Sequence, residues 1–113
     1  MFVNLIDTDQ LFGHRNDPIG YGKSLEEIDR AIPDIISMMK QDDVLVITGD
    51  HGNDPTTPGT DHTREFTPLL VLDKRVKNTE SLGTRSSFRD IAVSTCDYFR
   101  ISHPFEGKSF LNR

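Results

Sequence analysis

Three of the four histidines lie within five residues of an aspartate: Asp9 with His14, Asp50 beside His51, and Asp61 beside His62. A carboxylate and an imidazole together suit a divalent ion such as Mn²⁺ or Zn²⁺. Two groups of ligands suit two ions, and a pair of ions is a recurrent device for moving a phosphoryl group. The residues alone therefore point to part of a metal-dependent phosphoryl-transfer enzyme. Any one such pair is ordinary surface chemistry; three of them beside probable strand ends are not.

The elements that must position these residues are legible in outline. Residues 2–6 (FVNLI) read as a short buried strand, and 7–18 as a polar connection with Gly13, Asn16, Asp17 and Pro18 as turn signals. From about Gly20 to Lys40, Leu25, Ile28, Ile32, Ile35 and Met39 recur at helical spacing. Ser24 and Glu27 resemble a capping box, which would start the helix a turn later, and Pro33 should kink or split it. Residues 43–48 (DVLVIT) read as a second buried strand, giving a parallel βαβ unit. Residues 49–67 form a loop too long for a plain connection. A third strand, 68–72 (PLLVL), belongs near a sheet edge because of Pro68. Ser86 or Ser87 caps a last helix running to about Phe99, with Phe88, Ile91, Ala92, Cys96 and Phe99 on one face. Phe105, Phe110 and Leu111 are candidates to pack back on the core.

In an open parallel sheet, functional groups collect beyond the carboxyl ends of the strands. Asp9 lies there for the first strand and Asp50-His51 for the second, and the long loop returns His62 to the same edge. Gly52 removes side-chain bulk where ligand and backbone come close. Asp61 reads as a partner that orients a histidine, or as a solvated group. Asp7 is a weaker candidate of the orienting kind. Arg64 is a candidate to meet a phosphate or, equally, half of a surface ion pair, with Arg15 and Lys23 weaker candidates. His103 reads as a surface residue, and Cys96 as a small core residue with no nucleophilic role.

The bulk numbers set limits. The 113 residues allow one domain, 1–113, with a modest core. The hydrophobic fraction of 35% is low, which fits a loop-rich domain or a piece of a larger one. A strand almost at Met1 implies that something normally precedes it. The net charge of −5 argues against nucleic-acid or anionic-membrane partners, but not against a phosphorylated substrate once metal is bound. No membrane helix or signal peptide is visible, and a single cysteine leaves a cytoplasmic protein as the default.

The chain resembles the C-terminal part of the phosphopentomutase family, within the alkaline phosphatase superfamily. The matching stretches are Asn4-Leu-Ile-Asp-Thr-Asp9 with Phe12-Gly-His-Arg15, Ile47-Thr-Gly-Asp-His-Gly52, and Pro58-Gly-Thr-Asp-His-Thr-Arg-Glu65 before Thr67-Pro-Leu-Leu70. Ser87-Phe-Arg-Asp90 and Gly107-Lys-Ser-Phe-Leu111 are similar to its closing segments. The resemblance implies an α/β fold, a fragment of a three-layer αβα sheet of alkaline-phosphatase-like type with mostly parallel strands. It implies two divalent ions, most often Mn²⁺, with Asp9, His14 and His62 on one and Asp50 and His51 contributing to the other. It also implies interconversion of ribose 1-phosphate and ribose 5-phosphate, and of the deoxy sugars. That reaction runs through a phosphothreonine, with a sugar bisphosphate activator. The family's threonine nucleophile, N-terminal aspartate and cap domain have no counterpart among these residues, so the isolated chain is expected not to turn over. Two rivals remain. One is another superfamily enzyme, such as a cofactor-independent phosphoglycerate mutase or a phosphodiesterase. The other is a non-catalytic metal-binding structural fragment.

Overall fold

The computed structural model describes residues 1–111. They form two compact units, Met1–Lys77 and a second from Asn78 onward.

In the first unit, helix α1 (Pro18–Met38) is set at its start by two adjacent residues. Pro18 occupies the first helical position, where its missing N–H costs nothing. Asp17 caps the turn, its Oδ1 accepting the Gly20 N–H at 2.9 Å. This pair outcompetes the expected capping box. Ser24 lies inside the helix and is buried, its hydroxyl 3.1 Å from that of Thr8. The covered stripe runs through Gly20, Ser24, Ile28, Ile32 and Ile36, while Leu25 and Ile35 face solvent. The stripe is thus turned by about one position from the one read in sequence. Its small residues explain the shift: a Cβ on Gly20 would stand 2.3 Å from the Phe12 ring, so the turn before the helix packs closest there. The helix runs through Pro33 without being split. Pro33 and Asp29, whose carbonyl loses its helical partner, are both exposed, so water can serve that carbonyl. At the far end, Lys74 donates to the carbonyls of Ile36 at 3.1 Å and Met39 at 2.6 Å, capping the last turn.

Strands β1 (Val44–Thr48) and β2 (Leu69–Asp73) form a two-stranded sheet. They run antiparallel, in register from Val44 opposite Asp73 to Thr48 opposite Leu69. The expected parallel βαβ unit is absent among the described residues. Residues 2–6 form no strand and lie exposed, Phe2 at 94%. A strand exists only where a neighbour takes its backbone bonds, and β1 finds that neighbour in β2. The α/β character holds; the one sheet seen is small and antiparallel. No helix among the described residues is long and apolar enough to cross a membrane.

The second unit is built on α2 (Arg89–Phe99). Its inner face carries Asp90, Val93 and Ser94, while Phe88 and Phe99 are exposed; the expected apolar face is displaced because the unit closes on polar contacts. The Asp90 carboxylate accepts the Lys108 N–H at 2.8 Å and Arg85 Nε at 2.5 Å. Ser94 Oγ donates to the Asp90 carbonyl at 2.6 Å and accepts the Phe110 N–H at 2.9 Å. Phe110 is buried by this clasp, Leu111 is half-buried and Phe105 is half-exposed. Arg100 ends the helix in the left-handed region at φ 56°. Cys96 is half-buried, with a free thiol. His103 is not the surface residue expected: its side chain is 18% exposed, 3.8 Å from Asp97 and stacked on Phe105.

Candidate metal centre

Asp9 and His14 lie on two consecutive helical turns, a wide π turn at Thr8–Phe12 and a tight 3-10 turn at Gly13–Arg15, not on an open loop. Winding places both side chains on one side, with His14 Nε2 3.3 Å from Asp9 Oδ2. The turn ends at Asn16 with φ 52°, a conformation asparagine tolerates better than most residues. From there Asn16 Nδ2 donates to the Thr57 carbonyl at 2.9 Å, tying the turn to the long loop.

The loop leaves β1 at Gly49 and folds back on itself. Gly52 and Thr63 form an isolated antiparallel bridge, the Thr63 N–H donating to the Gly52 carbonyl at 3.2 Å. A Cβ at Gly52 would meet the Thr63 carbonyl at 2.6 Å and the Glu65 N at 2.7 Å, so this crossing requires glycine. Asp54 organises the tip. It accepts the Thr56 N–H and hydroxyl at 2.9 and 2.7 Å and the Thr57 hydroxyl at 3.0 Å. Those bonds, the Thr56 hydroxyl foremost, hold its carboxyl below the usual carboxylate range. The crossing places His51 and His62 side by side, rings stacked at 3.6 Å.

Four groups then converge. His62 Nε2 lies 3.5 Å and His51 Nε2 4.0 Å from Asp9 Oδ1, and His62 Nε2 lies 3.1 Å from His14 Nε2. Asp9, His51 and His62 each offer a ligand atom within 4.8 Å of the others. Two imidazoles are oriented from behind. His14 Nδ1 meets the Thr60 carbonyl, and His51 Nδ1 lies 3.1 Å from that of Gly52. A carbonyl only accepts, so each Nδ1 carries a proton, and in the neutral ring each Nε2 is free to act as a ligand. The Nε2 atoms of His14, His51 and His62 are thus gathered at the Asp9 carboxylate, a donor set that a cation would complete. Two nitrogens bound to one ion at about 2.1 Å stand roughly 3.0–3.4 Å apart for bond angles of 90–110°. His14 to His62 at 3.1 Å and His14 to Asp9 at 3.3 Å fall in that range and His62 to Asp9 at 3.5 Å lies just beyond it, so the donor set fits a divalent cation.

A profile of the Metalloenzyme superfamily matches residues 1–103. The chain belongs to this superfamily. It is 51% identical over 112 residues to a phosphopentomutase of Dictyoglomus thermophilum, covering 99% of this chain and 29% of that protein. It is 53% identical over 111 residues to one of Acetivibrio thermocellus, covering 98% of this chain and 29% of that protein. A phosphopentomutase of Dictyoglomus turgidum is 50% identical over 112 residues, covering 99% of this chain and 28% of that protein. The chain thus spans somewhat under a third of the length of these curated relatives.

Of the residues singled out in sequence, the structure brings Asp9, His14, His51 and His62 together. Asp50 stands at the margin, 78% exposed with Oδ1 3.6 Å from His51 Nε2. Asp61 and Arg64 are exposed on the returning arm of the loop. Sequence reasoning missed Asn53, whose Nδ2 donates to Asp9 Oδ1 at 2.6 Å. Its only signal was its place two residues after His51. Tyr21 was also missed. Its hydroxyl is held above its usual range, first by burial and then by the negative charge of Asp9, Asp54 and Glu65. The centre is thus set in an acidic field.

Proposed function

We propose that the chain is the C-terminal, metal-binding portion of a phosphopentomutase catalytic core. The reaction would interconvert ribose 1-phosphate and ribose 5-phosphate, with the deoxy sugars. The single observation that carries this reading is the convergence of three imidazole Nε2 atoms on Asp9. The curated relatives named phosphopentomutase, similar over nearly the whole chain, supply the substrate class.

In this reading Asp9, His14 and His62 would hold one cation, with His51 against it. Asp50 and His51 would contribute to a second ion in the whole enzyme. Mn²⁺ suits such a set of carboxylate and imidazole donors. Bound ions would act as Lewis acids on phosphoryl oxygens and lower the pKa of an attacking hydroxyl. The residues themselves do three things. Asp9 supplies negative charge to the centre. Thr60 and Gly52 fix the tautomers of His14 and His51. Arg64, two residues after His62, is the candidate for a phosphate contact. The complete enzyme would add the threonine nucleophile, the rest of a three-layer αβα sheet and a cap, and would use a sugar bisphosphate activator. The apolar run 2–6 would become a strand in that sheet. A cytoplasmic setting belongs to the same proposal.

The test is a chimaera. The chain replaces the matching segment of the Acetivibrio thermocellus phosphopentomutase, which is assayed with ribose 1-phosphate and with 3-phosphoglycerate. Mutase turnover of the pentose alone, lost on His62→Ala, is expected. A folded, Mn²⁺-loaded chimaera without pentose turnover would overturn the proposal.

A further inference from the structure

Asp9 has a carboxylate flanked by the Nε2 atoms of His14, His51 and His62. Left to itself such a carboxylate would swing toward water, which is near: its side chain is 29% exposed. Something must hold it inward before a cation arrives. The half-buried Asn53 is placed to do so, its amide nitrogen 2.6 Å from Asp9 Oδ1.

The backbone opposite makes room for that amide. Gly13 is buried, and a Cβ there would stand 2.2 Å from Asn53 Nδ2 and 2.7 Å from its Cγ. No backbone strain explains this glycine: φ −59° and ψ −59° are helical values that alanine adopts freely. The space is reserved for the side chain of Asn53. Resting on the proposed metal centre, we infer that Asn53 is a positioning residue that sets the Asp9 carboxylate for cation binding, and that Gly13 is the matching vacancy. Partners that orient metal ligands are commonly worth about 10–100-fold in metal affinity.

The experiment measures Mn²⁺ affinity of the 113-residue chain by calorimetry, with the visible spectrum of the Co²⁺-loaded chain and the melting temperature beside it. Asn53→Ala is expected to weaken Mn²⁺ binding roughly tenfold or more and to alter the Co²⁺ bands. Asn53→Leu, which keeps the bulk and loses the donor, should do the same at an unchanged melting temperature. Gly13→Ala should weaken binding alone and add nothing in the Asn53→Ala background, because both changes remove one contact. Full affinity in Asn53→Leu would overturn the positioning role. Independent, multiplying losses for Gly13→Ala and Asn53→Ala would overturn the pairing. No Mn²⁺ site in the unaltered chain would overturn the metal centre itself, and this inference with it.

Discussion

Two aspartates, Asp9 and Asp90, each sit where a loop crosses a helical turn, and they are finished in opposite ways. Asp90 is satisfied by the chain itself. The Lys108 N–H bonds one oxygen, Arg85 bonds the other, and Arg85 also reaches the Lys108 carbonyl at 2.6 Å. Those partners, the Lys108 hydrogen bond first, hold its carboxyl below the usual range. Asp9 receives one neutral amide and otherwise faces imidazole nitrogens. The first arrangement closes a structure. The second is left open toward a charge the protein does not contain. Donors already engaged within the chain mark architecture, and donors aimed at one another mark a site.

The comparison is tested hardest at the ligands. Asp9→Ala and His62→Ala should each cost more Mn²⁺ affinity than the roughly 10–100-fold that follows loss of a supporting partner. Without metal, neither should lower the melting temperature much, since both side chains are partly exposed to water. Excess Mn²⁺ should stabilise the unaltered chain by about 2.7 kcal/mol at 100 times its dissociation constant. Scanning calorimetry with and without Mn²⁺ reads both effects. A large metal-free destabilisation by His62→Ala would show that the cluster is architectural after all.

The converse change is Ser94→Ala. Ser94 is 1% exposed, and loss of its hydroxyl strands the Phe110 N–H. A buried donor left without a partner costs about 1–3 kcal/mol. Urea unfolding should show that loss with Mn²⁺ affinity intact. Phe110 gives a second check on the same clasp, because its N–H bonds Ser94 Oγ and the residue is 7% exposed.

How much of this was readable beforehand follows the same division. The candidate ligands were legible because aspartate and histidine announce their chemistry in any context. The stretches Asp50-His51-Gly52 and Asp61-His62 also sit in a loop with no apolar pattern. Helix α1 was legible by period, and both strands as short apolar runs. The clasp was not, because Asp90, Ser94 and Lys108 are ordinary surface residues until the tail returns over the helix. The parallel pairing failed for a related reason. Residues 2–6 have a strand's composition, but pairing depends on a neighbour and not on composition. Asn53 and Gly13 were invisible because a vacancy and its occupant lie forty positions apart in sequence.

A smaller effect separates the two carboxylates by pH. A carboxyl whose pKa is lowered by folding stabilises the fold above its unfolded pKa and loses that contribution as pH falls through the folded value. Asp90 should therefore give the metal-free chain an acid limb lying below the ordinary carboxylate range, and Asp90→Asn should flatten it. Asp54, lowered in the same direction, leaves a residual limb in that variant. Melting temperatures across the acid range, measured for both proteins, check the sign. A limb that is unchanged in Asp90→Asn would remove Asp90 from the account.

The smallest expected effect tests where the open cluster ends. Asp50 adjoins His51 at 3.6 Å but is 78% exposed. If it were a ligand in this chain, Asp50→Asn would cost as much as Asp9→Ala. As an exposed charge beside the centre it contributes roughly 0–1 kcal/mol, which is less than tenfold in affinity. The geometry favours the second case. His51 stacks on His62 and its Nε2 lies between Asp9 at 4.0 Å and Asp50 at 3.6 Å, so exposure and not distance is what sets Asp50 apart from Asp9. One Mn²⁺ per chain, weakened less than tenfold by Asp50→Asn, is the expected calorimetric result. Two ions per chain, or a loss approaching that of Asp9→Ala, would extend the open region to Asp50. The contrast with Asp90 would then rest on exposure as well as on partners, because an exposed carboxylate would be holding metal without the support that Asn53 gives Asp9.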